Sequence, residues 1–125
     1  MRTLLQEDIT YKILDACFEV YKEKGCGFHK SMYQECLAIE LHRQQISYHM
    51  ELSLPLTYKG QTLRHAYKPD FVCDDSTLLE IKAESRILPD HRAQMLNCLQ
   101  ATSTRTGLLV NFGHYPRLEY ERITL

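Results

Sequence analysis

The sequence predicts an α/β protein, a mixed β-sheet core flanked by helices, in one domain spanning 1–125. Three observations carry that expectation. Apolar residues recur at helical spacing near the start of the chain and again after Pro89. Between and after those stretches the period shortens to that of strands. From residue 78 to 112 a strand pattern, a helix pattern and a second strand pattern follow in turn, the order of a βαβ unit.

The first helix runs from about Asp8 to Lys22, with Ile9, Ile13, Ala16, Cys17, Val20 and Tyr21 on one face. Gly25 and Gly27 stop it. A second helix runs from about Ser31 to Gln44. Ser31 and Gln34 have the S-x-x-Q form of a capping box, and Tyr33, Cys36, Leu37 and Leu41 form its buried stripe. Ser47 to Leu54 reads as a strand, Lys59-Gly60 as a turn and Gln61 to Tyr67 as the returning strand. Pro69 leads into Asp70 to Cys73, and Asp74-Asp75-Ser76 supplies turn residues. Leu78 to Ala83 is a short apolar strand interrupted by Glu80 and Lys82. Pro89 suits the first turn of a third helix, to about Thr102, with Met95, Leu96 and Leu99 inward. Thr106 to Phe112 is nearly all apolar, as for a strand covered on both faces. A last strand runs from about Leu118 to Thr124.

Composition narrows the function classes. Hydrophobic residues make up 44% and charged residues 25% of the 125, enough for one well-formed core. No apolar run approaches the ~20 residues that cross a bilayer. Met1 to Thr10 lacks the apolar stretch of a secretory signal. The expected place is the cytoplasm, with no membrane partner. The five cysteines are odd in number and none stand as C-x-x-C, so free thiols are expected rather than disulfides or a zinc ribbon. A net charge of −1 and a pI near 6.6 exclude a globally basic nucleic-acid binder. Contact with nucleic acid would have to come from a local patch or through a metal ion.

The chemistry-bearing segment is Pro69-Asp70, nine intervening residues, then Glu80-Ile81-Lys82. Alternate strand residues share a face, so Glu80 and Lys82 project together. A hairpin would bring Asp70 to the start or the middle of that strand, according to register. Two carboxylates and an ammonium suit phosphodiester hydrolysis. Oxygen ligands match Mg²⁺ or Mn²⁺, and the Ile81 carbonyl is a further candidate ligand. Such an ion offsets phosphate charge and acidifies a bound water, while Lys82 could orient that water or stabilise developing charge. The plain alternative is a wet-faced hairpin. The apolar neighbours Leu78, Leu79, Ile81 and Ala83 argue against it, because buried charges need partners.

Lys68-Pro69-Asp70-Phe71-Val72 and Leu79-Glu80-Ile81-Lys82-Ala83 resemble the core of the PD-(D/E)XK nuclease superfamily. The chain is similar over roughly 100 residues to one RecB-like branch, the small GxxExxY proteins. The resemblance includes Gly25-Cys26-Gly27-Phe28 and Tyr33-Gln34-Glu35-Cys36-Leu37-Ala38. It continues through His91 to Asn97, Ala101-Thr102 and Gly107-Leu108-Leu109-Val110-Asn111-Phe112-Gly113. It implies a restriction-endonuclease-like fold, a metal held by Asp70 and Glu80, and catalytic assistance from Lys82. Gln94 matches a helix glutamine that lies beside the site in such proteins; a surface amide is its plain alternative.

Two positions depart from that pattern. Lys30 stands where the family places Glu, three residues before Tyr33, and a charged lysine has no acceptor for a metal. Cys98 stands where Q-x-x-x-Y would place Tyr. Glu35 lies about 140° around the helix from Lys30, a poor replacement. Lys30 itself is expected as a solvated lysine near the helix start, with a phosphate contact as the alternative. The six histidines show no metal-binding spacing, although His91 lies one helical turn before Gln94. Lys59, Arg64, His65 and Lys68, extended by Arg86 and Arg92, form either a phosphate-tracking face or a solvated surface.

Three functions are compatible with these residues. The first is a divalent-metal-dependent nuclease acting on DNA or RNA. The second is a catalytically impaired nuclease-fold module that binds nucleic acid or a protein, motivated by Lys30 and Cys98. The third is a homo-oligomer in which another chain completes a substrate channel.

Overall fold

The computed structural model describes residues 2–125, and their side chains from Ile9 onward. Two antiparallel helices open the fold, α1 (Arg2–Lys24) and α2 (Lys30–Arg43). Helix α1 begins six residues before the expected Asp8. It runs two residues past the expected Lys22 and stops at Gly25 as predicted, with the Gly25 N–H bonded to the Tyr21 carbonyl at 2.7 Å and Gly25 at φ 66°, a left-handed cap that suits glycine. The predicted stripe is inward, with Ile13, Ala16 and Cys17 fully buried.

Ser31 does not cap α2. The helix starts one residue earlier, with His29 at the N-cap and no side-chain cap bond. The S-x-x-Q pattern is therefore not used for capping, and Gln34 is engaged elsewhere.

The five-stranded sheet has the order β1-β4-β5-β6-β7. Its members are β1 (Tyr48–Met50), β4 (Phe71–Cys73), β5 (Thr77–Lys82), β6 (Thr106–Asn111) and β7 (Glu119–Thr124). Strands β5 and β6 run parallel, joined through α3 (Pro89–Ala101), which is the expected βαβ unit. The other pairings are antiparallel, so the sheet is mixed, as predicted.

The expected strand from Ser47 to Leu54 breaks in two. After β1, Glu51 takes a left-handed φ of 51°, which strand backbone does not permit. The chain leaves the sheet and forms β2 (Leu54–Tyr58), which pairs only with β3 (Gln61–Tyr67). This hairpin is a separate two-stranded sheet. Six of the seven β3 residues are exposed, and Leu54 and Tyr67 anchor its base against the core.

Period-2 alternation divides the core between the two faces of the sheet. Phe71, Leu79, Ile81, Leu108 and Val110 pack with Ile13, Tyr33, Leu37 and Leu41 from α1 and α2. Val72, Leu78 and Leu109 pack with Met95 and Leu99 from α3. Leu96, expected inward, is 40% exposed. The inward stripe is Met95, Cys98 and Leu99, and Leu96 lies about 100° beyond Met95 on the helix. Glu80 and Lys82 share parity with Leu78 and so face α3.

Candidate active site

The register of the β4–β5 hairpin assembles the site. Asp74 and Asp75 both adopt positive φ, 54° and 52°, the turn geometry that suits strand twist. The resulting register sets Phe71 opposite Leu79 and brings Asp70 level with Glu80. The ladder stops at Phe71, so the β4 side of Glu80-Ile81-Lys82 is not covered by a strand. The Asp70 carboxylate fills that gap. Its Oδ2 accepts the Ile81 N–H at 2.9 Å, replacing the missing ladder bond.

Asp70 is buried and engaged by three groups. Gln34 Nε2 donates to Oδ1 at 3.0 Å. Lys30 Nζ lies 3.0 Å from Oδ2, where the Ile81 N–H also points. Lys30 and Gln34 stand one turn apart on α2, the spacing that places two side chains on one face. Lys30 is thus not only a solvated lysine: it stays partly exposed but forms an ion pair with Asp70, the first carboxylate of the motif. Glu35 is exposed and does not join the site.

Glu80 is held differently. Its Oε1 accepts the Tyr67 hydroxyl at 2.7 Å and the Asp70 backbone N–H at 3.2 Å. Burial and the neighbouring Asp70 push its carboxyl up to about 7, while the Tyr67 bond, the Asp70 N–H and Lys30 pull it down. Two close carboxylates out of water resist double ionisation. Tyr67 is pushed well above the ordinary tyrosine range by burial, with Glu80 adding to the shift. The Cys98 thiol is raised by burial too.

Glu80 and Lys82 open into a small cleft beneath α3, completed by Tyr67, His91, Gln94, Met95, Cys98 and Leu109. Its volume, about 20 Å³, is room for roughly one water. Gln94 is therefore beside the Glu80–Lys82 pair, on the side away from Lys30. His91 has a structural task as well: its Nδ1 accepts the Leu88 N–H at 3.0 Å and its Nε2 lies 3.2 Å from Glu84.

Asn111 fixes the chain as it leaves β5. It is fully buried. Its Oδ1 accepts the Glu84 N–H at 3.0 Å and the Gly113 N–H at 3.1 Å. Its Nδ2 donates to the Glu84 carbonyl at 2.9 Å and Glu119 at 3.0 Å. Arg92 does not extend a basic face, because it forks onto Glu121 with both Nε contacts at 2.7 Å. Sequence reasoning missed Tyr67 and Gln34 as site residues. Gln34 was within its reach, since it adjoins Tyr33 in the quoted run.

The donor chemistry fits a hard divalent ion. Asp70 and Glu80 supply carboxylate oxygens. The Ile81 carbonyl lies on the same side of β5 as its N–H, which faces Asp70. No group of three or more His, Cys, Asp and Glu converges among the described residues. Mg²⁺ tolerates so few protein ligands, keeping water and taking substrate oxygens.

A family model of the PD-(D/E)XK nuclease superfamily matches residues 7–123. The chain belongs to the PD-(D/E)XK nuclease superfamily. Its mixed sheet and flanking helices form that superfamily's restriction-endonuclease-like fold, with Pro69-Asp70 leading into β4 and Glu80-Ile81-Lys82 at the end of β5. The solved structure of SSO0001 is similar, with a TM-score of 0.61 at 19% identity over 75% of this chain and 48% of that one. This likeness concerns the fold. The chain spans about half the length of that protein. No curated protein matches the sequence.

Proposed function

We propose that this protein is a divalent-metal-dependent nuclease that hydrolyses nucleic-acid phosphodiester bonds at Asp70, Glu80 and Lys82, beside the cleft that Glu80 and Lys82 line. The observation that carries the reading is the meeting of Asp70 and Glu80, with the Asp70 N–H on Glu80 Oε1 and the Ile81 N–H on Asp70 Oδ2. Asp70, Glu80 and the Ile81 carbonyl would hold Mg²⁺ or Mn²⁺. When bound, the ion supplies charge neutralisation at the phosphate and a water of lowered pKa. Lys82 shares the Glu80 face and stabilises charge as it develops on phosphate oxygens. Gln94 offers an amide across the cleft to orient the attacking water or the phosphate. Tyr67 and the Asp70 N–H hold Glu80 in place.

The β2–β3 hairpin supports a nucleic-acid substrate. Residues 54–69 contain Lys59, Arg64, His65 and Lys68 and no acidic residue, in a chain of net charge −1. The hairpin projects from the cleft through Tyr67, a placement suited to phosphate contacts outside the reaction centre. Gly25 to Phe28, Tyr33 to Ala38 and His91 to Asn97 support the GxxExxY branch, from which Lys30 and Cys98 depart.

Cleavage of single- and double-stranded DNA and RNA in Mg²⁺, Mn²⁺ and EDTA tests the reading. The expected result is metal-dependent turnover by the native chain and none in Asp70→Ala or Glu80→Ala. Turnover that persists in both variants rejects the mechanism. The Lys30–Asp70 ion pair favours a second reading, a binding module with impaired catalysis. That reading predicts retained nucleic-acid binding with no turnover in any metal.

A further inference from the structure

Lys30 presents an energetic problem at its own position. It is the first residue of α2, where the positive end of the helix dipole disfavours a cation. A basic residue there gains from a counter-charge, and Asp70 supplies one from forty positions along the chain at 3.0 Å. The pair is unequally covered, with the Lys30 side chain 40% exposed and that of Asp70 only 10%. The carboxylate is fixed in place by Gln34 and Ile81, whereas the Lys30 side chain is partly open to solvent. Lys30 also favours the ionised form of Glu80, so one cation acts on both carboxylates.

We propose that Lys30 is a tethered competitor of the divalent ion, holding Asp70 Oδ2 until a metal displaces it. This inference rests on the reading of Asp70 and Glu80 as metal ligands. The resting site is already partly neutralised by a charge belonging to the chain. A metal gains less there than at two uncompensated carboxylates, because it exchanges one cation for another. It must also accept repulsion from the ammonium or drive it outward. Arrival of a substrate phosphate restores the missing negative charge and strengthens the metal's hold against Lys30. The GxxExxY resemblance implies Glu at this position, and the opposite charge reverses its effect on metal uptake.

Titration of the full chain with Mn²⁺, read from the EPR signal of the free ion, tests the competition without requiring turnover. Wild type, Lys30→Gln, Lys30→Glu and Lys30→Arg are compared, with Asp70→Asn as the control. Removing one positive charge a few ångströms from a dication tightens binding by about tenfold or more in Lys30→Gln. Lys30→Glu tightens it further, and Lys30→Arg stays near wild type. Mn²⁺ should also raise the melting temperature more in Lys30→Gln than in wild type. Equal or weaker affinity in both Lys30→Gln and Lys30→Glu, with binding still abolished in Asp70→Asn, overturns the competition and leaves the metal site standing. Absence of Mn²⁺ binding in every variant overturns both.

Discussion

The Tyr67 hydroxyl donates a 2.7 Å hydrogen bond to Glu80 Oε1. This bond ties the base of the β2–β3 hairpin to the motif glutamate, so the projecting arm and the proposed reaction centre share one anchor. Tyr67→Phe removes the donor and keeps the ring. Loss of a bond to an ionisable partner costs about 1–3 kcal/mol, measurable as a shift of the urea midpoint. The bond lowers the Glu80 pKa, so the acidic limb of the pH–rate profile should move to higher pH. A profile identical to wild type would sever Tyr67 from the chemistry.

The Glu80 carboxyl gives stability a pH dependence of defined sign. It ionises near 4.5 in the unfolded chain and near 7 in the folded one. Between those values the folded protein holds a proton that the unfolded chain has released. Rising pH therefore favours unfolding across that window. The contribution is complete below about 4.5 and lost as pH passes about 7. Urea denaturation from pH 4 to pH 8, compared between wild type and Glu80→Gln, isolates it. Wild type should lose stability relative to Glu80→Gln as pH rises, and a constant difference would contradict the assigned burial.

Gly113 approaches the loop after β5 closely. A side chain there would collide with the Glu84 backbone N and O. Backbone cannot yield as a side chain end can, so Gly113→Ala should cost about 1–3 kcal/mol. It should also loosen the exit of β5 that Asn111 clamps, and lower turnover with it. A thermal melt indistinguishable from wild type would show that the loop is free to shift.

Much of this arrangement was legible in the chain. The stripes of α1 and α2, the parallel β5–α3–β6 unit and the pairing of Glu80 with Lys82 all follow from spacing. What was not legible depended on distant partners. The period-2 pattern of residues 47–54 carries no mark of the left-handed Glu51 that ends β1. Ser31 and Gln34 offered a local capping explanation, and it concealed the reach of Gln34 to Asp70 thirty-six residues away. The Lys30 ion pair has the same character, since a lysine at a helix start looks solvated until the fold brings a carboxylate to it. Tyr67 was read as a strand residue because nothing in its neighbourhood indicates the glutamate it serves.

The β2–β3 arm makes a separable prediction. Lys59→Ala and Arg64→Ala should weaken nucleic-acid binding about equally across sequences, each lowering the slope of log K against log salt by about 1. Metal affinity should not change, because both residues lie outside the cleft. An unaltered slope in both variants would assign the arm another partner.

The central claim is that Asp70 and Glu80 together hold a divalent ion. The most direct measurement is anomalous diffraction from crystals of the full chain soaked in Mn²⁺. The account predicts one anomalous peak between the Asp70 and Glu80 carboxylates, with Lys30 Nζ moved off Asp70 Oδ2. Saturating Mn²⁺ with no peak there, and the Lys30–Asp70 pair intact, would contradict it.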